Sequence, residues 1–163
     1  MEIGDQWGTI REVFDEGFKS CFNFAVASVG REGSPHITPI GSLILKDDST
    51  GFYCEDFPSR LPENLRYNPR VCIMAVNADK MFWGRALLEG RFSSPPGVRL
   101  YGIAGETREG TREEIEMWQK RVAFARTMKG YKIMWESMHV VRDIKFDSFE
   151  PVLLNEMTDG LWQ

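Results

Sequence analysis

The sequence predicts a single, mainly β domain in which antiparallel strands are flanked by helices. Its 163 residues, 42% apolar and 27% charged, have the size and balance of one ordinary globular domain. Short apolar runs separated by turn-forming residues fill much of the chain and indicate an antiparallel meander or barrel. Helical spacing of apolar residues is strong in two stretches, 5–20 and 112–128. We therefore expect one domain over residues 1–163.

Residues 5–20 predict an amphipathic helix. Trp7, Ile10, Phe14 and Phe18 recur at spacings of three and four, and charged residues lie between them. One face of this helix is therefore expected to pack on the core.

The hydrophobic period changes after this helix and predicts a series of strands. The run at 22–29 is rich in small and β-branched residues, and the cluster at 30–35 has the composition of a hairpin turn. Pro39 cannot donate to a strand ladder, so the returning strand at 36–45 is expected to lie at an edge or to carry a bulge. The next turn leads to a strand at 51–56.

A short helix near 60–66 interrupts the strands. Ser59 is a candidate N-cap, and Asn68 followed by Pro69 closes the segment. The apolar run at 71–76 then predicts a buried strand. Residues 82–94 predict another strand, with its two glycines as bends.

A longer helix is predicted over 112–128. Thr111 and Glu114 have the spacing of a capping box, and apolar residues recur at helical spacing from Ile115 onward. We expect this helix to end near Gly130. Alternating residues at 139–146 and the apolar run at 151–154 predict the closing strands.

Composition and charge exclude several classes of function. Twenty Lys and Arg against 24 Asp and Glu, with no long block of one sign, argue against nucleic acid or an anionic membrane as partner. No apolar stretch approaches the roughly 18 residues that span a bilayer. The acidic, glycine-containing start is unlike a secretory signal, so we expect a cytoplasmic protein. Three cysteines without a CxxC pair and two distant histidines predict reduced thiols and no metal site.

The strongest candidate binding feature is Ser59-Arg60, between a predicted strand and the short helix. A hydroxyl, a permanently charged guanidinium and free backbone N–H groups suit a phosphate. The same two residues also fit a capping serine followed by a solvent-exposed arginine. The aromatic pair Phe82-Trp83 also has two interpretations: it packs in the core, or it forms a surface for a flat ligand.

Four motifs within residues 22–77 carry a resemblance to a known family. They are Gly33-Ser34-Pro35, Phe52-Tyr53-Cys54, Ser59-Arg60 and Asn68-Pro69-Arg70-Val71. In this order and spacing the segment resembles the pyridoxamine 5′-phosphate oxidase-like family of FMN-binding split β-barrel proteins. The resemblance implies an antiparallel split β-barrel that forms a homodimer, with FMN in two clefts at the subunit interface.

The resemblance also implies the site residues. Ser59 and Arg60 would hold the FMN phosphate, and Tyr53 and Cys54 would lie beside the ribityl chain. The strand under the isoalloxazine ring would be Thr38, Pro39, Ile40, Gly41, Ser42 and Leu43. The implied function is an FMN-dependent oxidoreductase that passes electrons or hydride to a small organic acceptor or to oxygen. The sequence identifies no side chain as a catalytic acid or base.

The sequence also departs from the family's pattern. Three basic cofactor-binding positions are matched here by Thr38, Leu43 and Leu61, and the C-terminal Arg-x-His motif is missing, since the only late histidine is His139. Pyridoxamine phosphate oxidase activity itself is therefore not expected. Two alternatives stay open: a deazaflavin (F420) reductase on the same fold, or a non-catalytic dimer that binds flavin, haem or another small molecule.

Overall fold

One antiparallel sheet organises the computed structural model, which describes residues 2–162. Its seven strands are ordered β2-β1-β5-β6-β7-β4-β3. The strands are β1 (Phe24–Val29), β2 (Pro35–Ile40), β3 (Ile44–Leu45), β4 (Thr50–Cys54), β5 (Arg70–Val76), β6 (Gly97–Glu109) and β7 (Val140–Pro151). The helices are α1 (Ile3–Cys21), α2 (Arg60–Leu65), α3 (Lys80–Glu89), α4 (Arg112–Arg121) and α5 (Lys129–Met134), with a single 3₁₀ turn at Ala123–Ala125. The expectation of a mainly β, antiparallel fold with flanking helices is confirmed.

The sheet curls until its two edges meet. Strands β2 and β3 form opposite edges, yet residues 41–43 alone connect them. Such a connection reaches only about 14 Å, so the edges must approach one another and the sheet closes into a barrel. Pro39 lies in β2, at an edge, as its missing N–H requires.

Helix α1 covers the barrel core, as its apolar spacing predicts. Its buried side chains, including Trp7, Ile10 and Phe14, pack with residues of β1, β5 and β6 in one cluster. The helix ends at Cys21 and is capped by Phe22, which adopts a left-handed conformation (φ 60°) and donates its N–H to the Phe18 carbonyl at 2.8 Å. A Cβ on Gly41 would lie 2.7 Å from the Phe22 carbonyl oxygen, so only glycine fits the start of the 41–43 connection.

Residues 82–94 do not form the expected strand, and the prediction there is wrong. Residues 80–89 form α3, because the Asp79 carboxylate caps the helix start by accepting from the N–H groups of Met81 and Phe82 at 2.7 and 2.9 Å. Gly90 closes it at φ 69°. Phe82 and Trp83 pack against Phe92, with ring centroids 5.3 and 5.1 Å apart. These aromatic residues are therefore explained by packing.

Four further elements differ from expectation. The returning strand expected at 36–45 is two strands, β2 and β3, separated by residues 41–43. Helix α4 ends at Arg121 instead of near Gly130, because the chain tightens into the 3₁₀ turn after Val122. Strand β6, at 97–109, was not predicted. Of the apolar run at 151–154, only Pro151 belongs to a strand. The capping box is confirmed, since Thr111 and Glu114 exchange both hydrogen bonds.

The segment between β6 and β7 leaves the sheet and returns to the same place. Gly110 N–H donates to the His139 carbonyl at 2.7 Å, so residues 111–138 form an excursion closed at its base. Its apolar residues form a second core cluster with β4, in which Trp118, Tyr131 and Met138 pack near Phe52 and Cys54. Within residues 2–162, no helix is long and apolar enough to cross a membrane.

Candidate functional site

The 41–43 connection is fixed by a side chain that bonds to the backbone of the facing strand. Ser42 Oγ accepts from the Cys54 N–H at 2.9 Å and donates to the Cys54 carbonyl at 3.2 Å. Both residues are buried. The end of β4 is thereby attached to the break between β2 and β3, and the single O–H donor of Ser42 is used in this contact.

An apolar cavity of about 200 Å³ lies beside this break. One wall consists of Pro39, Ile40, Gly41, Ser42 and Cys54, and the opposite wall comes from the excursion. The remaining lining residues are Phe18, Phe22, Phe57, Pro58, Trp118, Val122, Phe124, Met134, Trp135 and Met138. No Asp, Glu, Lys, Arg or His is among the described lining residues.

The few polar side-chain groups of the cavity lining are electrically neutral. Burial raises the pKa of the Cys54 thiol to about 12, and the Asp56 carboxylate nearby adds to the shift. The indole N–H of Trp118, a residue only 1% exposed, has no hydrogen-bond partner within residues 2–162. The cavity therefore has apolar walls, and one of its lining residues, Trp118, holds a buried N–H without a partner among the described residues.

A separate polar groove of about 540 Å³ lies between the β1–β2 turn and α2. Arg60 lines it and pairs with Glu63 at 3.3 Å, both largely exposed. Arg31 lies over the Tyr67 ring, 5.6 Å from its centroid. Asn64, at its base, is buried and donates to the Ser28 hydroxyl at 3.0 Å. The groove holds charges of both signs. To bind an anion, the Arg60 guanidinium would have to exchange its ion pair with Glu63 for the ligand.

Ser59 precedes α2 but does not cap it. It lies at the N-cap position with a φ of −102° and ψ of −46°, and its side chain makes no capping bond in the described structure. The expected capping interaction is therefore wrong. Pro58 lines the apolar cavity and Arg60 lines the polar groove, so Ser59 lies between the two.

The structure brings together five of the ten residues that the resemblance selects. Pro39, Ile40, Gly41, Ser42 and Cys54 line the apolar cavity, whereas Arg60 lines the polar groove. Leu43 is buried on the other side of the break, where its carbonyl accepts from the Arg121 guanidinium at 2.5 Å. Thr38, in β2, has a buried hydroxyl without a partner among the described residues.

Tyr53 belongs to a buried charged network. Its hydroxyl donates to the Glu55 carboxylate, which also accepts two bonds at 2.6 Å from the Arg142 guanidinium. Arg142 donates further to the Gly105 carbonyl at 2.5 Å. Burial and the Glu55 carboxylate hold the pKa of Tyr53 far above its ordinary value. Only the backbone of Tyr53 is therefore available to a ligand.

The cavity wall from the excursion was missed at the sequence level. Trp118 and Val122 are among the apolar residues whose helical spacing predicts the helix over 112–128, and that spacing is their only signal in the sequence. Met134, Trp135 and Met138 follow the point where α4 ends, and nothing local relates them to the β2–β3 break.

The break, the cavity and the curled sheet define a split-barrel protein with an apolar cavity beside its opening. A family model described as pyridoxamine 5′-phosphate oxidase matches residues 10–147. The chain therefore belongs to the pyridoxamine 5′-phosphate oxidase family. No curated protein sequence matched the chain.

Solved structures support the same fold. An FMN-binding protein from Syntrophomonas wolfei subsp. wolfei is 17% identical with a TM-score of 0.60, over 93% of this chain and 95% of that one. HupZ from Group A Streptococcus is 21% identical with a TM-score of 0.56, over 86% and 91%. An F420 reductase is 11% identical with a TM-score of 0.52, over 78% and 88%. These identities establish the split-barrel fold alone.

Proposed function

We propose that this protein is an FMN-binding oxidoreductase that acts as a homodimer of single-domain subunits. The observation that carries the proposal is the apolar cavity beside the β2–β3 break, because a flavin ring needs flat apolar walls together with backbone hydrogen-bonding groups. Family membership supports the proposal. Bound FMN would supply hydride or electron transfer to a small organic acceptor or to oxygen.

Different residues of this chain would bind different parts of the cofactor. Arg60 and Ser59 would hold the phosphate, since a guanidinium and a hydroxyl are strong phosphate donors. The segment from Thr38 to Leu43 would lie along the ring and offer backbone groups, and the free Thr38 hydroxyl would add one polar contact. Tyr53, through its backbone, and Cys54 would border the ribityl chain. The chemical types of these residues suit the phosphate, ribityl chain and ring of a flavin. No catalytic side chain is assigned.

The homodimer proposal is supported by the outer face of the sheet. Strand register places Ile37, Ala27 and Cys72 in one row across β2, β1 and β5, and Pro39, Ala25 and Met74 in the next. All six side chains point away from the buried core, and Ile37 is 65% exposed. A second copy would cover this apolar face. Sedimentation equilibrium tests it, because Ile37→Lys should give a monomer.

The cytoplasmic location also stays a prediction.

An absorption spectrum of the purified protein, before and after incubation with FMN and desalting, tests the cofactor. Retained visible bands of oxidised flavin are the expected result. A protein that stays colourless after FMN treatment would overturn the proposal.

One observation favours the non-catalytic dimer among the alternatives, and the same observation counts against the F420 reductase, because F420 carries a longer anionic tail. Leu43 and Leu61, which stand where the family has basic residues, are 1% and 0% exposed and belong to the core. Among the positions that the family resemblance selects for the phosphate, Arg60 keeps a positive charge and Leu43 and Leu61 do not. Parallel incubation with F420 and with haem distinguishes these alternatives by which chromophore remains after desalting.

A further inference from the structure

We propose that Arg121 is a positioning residue for the flavin ring: it holds the 41–43 connection in place and puts a largely buried positive charge beside it that favours the reduced flavin. The inference deepens the proposed function and rests on it for the effect on the flavin. The contacts of Arg121 that carry the inference all lie within this chain.

Arg121 joins three parts of the fold at the β2–β3 break. It is the last residue of α4, and its guanidinium donates to the carbonyl of Leu43. The guanidinium also lies over the ring of Phe18, 4.8 Å from the ring centroid, and pairs with the carboxylate of Asp15 at 3.3 Å. Phe18 and Asp15 both belong to α1. The excursion, α1 and the 41–43 connection therefore meet at one side chain.

The surroundings of Arg121 belong to both walls of the apolar cavity. Phe18, beneath the guanidinium, and Val122, the next residue in the chain, line this cavity. The two residues that precede Leu43 line it as well. Arg121 itself is not among the described lining residues. It therefore acts on a bound ring through the wall that it holds, without contacting the ring.

The positive charge of Arg121 lies where water screens it poorly. Its side chain is 21% exposed, whereas that of Asp15 is 60% exposed, so the carboxylate neutralises the charge only in part. Burial lowers the pKa of Arg121, and the Asp15 carboxylate opposes that shift. An arginine stays protonated at neutral pH in either case. The break therefore carries a permanent cation.

Such a cation acts differently on the two oxidation states of a flavin. The ring gains electrons when it is reduced, and charges beside it tune its electronic properties. The segment from Thr38 to Leu43 is the one that we propose to lie along the ring, and Arg121 bonds to its last carbonyl. Coulombic attraction is stronger in this largely buried position than in water. The reduced form should therefore gain more from Arg121 than the oxidised form.

Three substitutions in the FMN-loaded protein test the charge, with the midpoint potential measured by redox titration at the flavin absorption band. Arg121→Gln removes the charge but keeps an N–H donor. It should weaken binding of reduced FMN at least tenfold more than binding of oxidised FMN, which lowers the potential by about 30 mV or more. Arg121→Lys keeps the charge and should stay near the parent potential. Asp15→Asn removes the opposing charge and should raise the potential.

Lys120→Gln is the matched control for the charge. Lys120 is the neighbouring residue of α4, carries the same charge and is exposed. Its substitution should leave the potential unchanged, because water and salt screen an exposed charge.

Hydrogen exchange of the FMN-free protein tests the positioning role. Arg121→Met removes the bond to the Leu43 carbonyl, so the amides of residues 41–45 should exchange at least tenfold faster than in the parent protein. The same amides should exchange at the parent rate in Lys120→Gln.

The possible failures are distinguishable. An unchanged potential in Arg121→Gln, an equal fall in Arg121→Lys, or a fall in Asp15→Asn overturns the electrostatic role, because damage to the wall would not follow the sign of the charge. Unchanged exchange at 41–45 in Arg121→Met overturns the positioning role. A protein that retains no FMN overturns the proposed function and the electrostatic role with it, while hydrogen exchange still decides the positioning role.

Discussion

The hydroxyl of Ser42 and the backbone of Cys54 form a reciprocal pair of hydrogen bonds, 2.9 and 3.2 Å long, between the β2–β3 break and the end of β4. Because both residues are buried, the Cys54 N–H and carbonyl have no access to water if the hydroxyl is removed.

Ser42→Ala is therefore expected to lower the free energy of unfolding by roughly 1–3 kcal/mol, the cost of unsatisfied buried groups. Urea denaturation measures it. Ser148→Ala is the control, since Ser148 is exposed and bonds to a neighbouring carboxylate, Asp147. Equal stability of both variants would show that the Ser42 contact is not required.

Arg60→Ala should weaken FMN binding at least tenfold, about 1.4 kcal/mol, without unfolding the chain. The exposed Arg60–Glu63 ion pair contributes little to stability, so the effect should be confined to the ligand. A flavin-fluorescence titration gives the affinity. Arg66→Ala, at the other end of α2 and outside the groove lining, should bind FMN normally. Unchanged affinity in Arg60→Ala would remove Arg60 from the phosphate site.

Arg142→Met should destabilise the fold by roughly 3–5 kcal/mol, because it leaves the Glu55 carboxylate buried without its cation. Arg99→Met removes an exposed partner of Glu150 and should cost far less. Chemical denaturation of the two variants compares them directly, and similar losses would contradict the importance of burial here.

The Cys54 thiol should be unreactive toward alkylating reagents in the native protein. Its pKa is raised to about 12 mainly by burial, so almost no thiolate exists at neutral pH, whereas Cys21 is exposed. Alkylation of the native protein followed by mass spectrometry should modify Cys21 well before Cys54. Cys54→Ser should retain FMN binding and flavin reduction. Loss of reduction with FMN still bound would reveal a thiol-dependent step.

Glu114 should make stability depend on pH. Hydrogen bonds from Arg108, with further help from Lys46, hold the pKa of Glu114 well below its ordinary value. A lowered folded-state pKa stabilises the protein above the unfolded value of about 4.3 and loses that contribution as the pH falls toward the folded value. Glu114→Gln, which can keep the capping box, should be less stable at pH 7.

The stability deficit of Glu114→Gln should shrink during acid titration followed by circular dichroism. Glu116→Gln, on an exposed position of the same helix, should match the parent protein throughout. A deficit that is constant with pH would assign the effect of Glu114 to packing.

Local signals account for the parts of the fold that the sequence predicted. The three- and four-residue spacing in α1, the turn residues before β2 and the proline at the sheet edge each act within a few positions. The strand predicted at 82–94 is wrong because aromatic residues and glycines are also typical of strands. The Asp79 cap instead starts a helix there.

The candidate site was predictable on one wall only. Pro39 marks the break by its own chemistry, but Trp135 and Met138 reach the cavity through the tertiary path of the excursion. No local pattern encodes a contact between residues nearly one hundred positions apart. The lone Trp118 donor is likewise visible only when its surroundings are known.

The hydrogen bond between Gly110 and His139 has a consequence for how such proteins diversify. Because β6 and β7 pair directly beside it, these two strands stay joined whatever the length of chain between these two residues, while the segment itself covers Phe52 and Cys54 of β4. A different segment in place of residues 111–138 that still covers Phe52 and Cys54 would give the barrel a new cavity wall. The barrel and the wall of its cavity would then be inherited separately within a single chain.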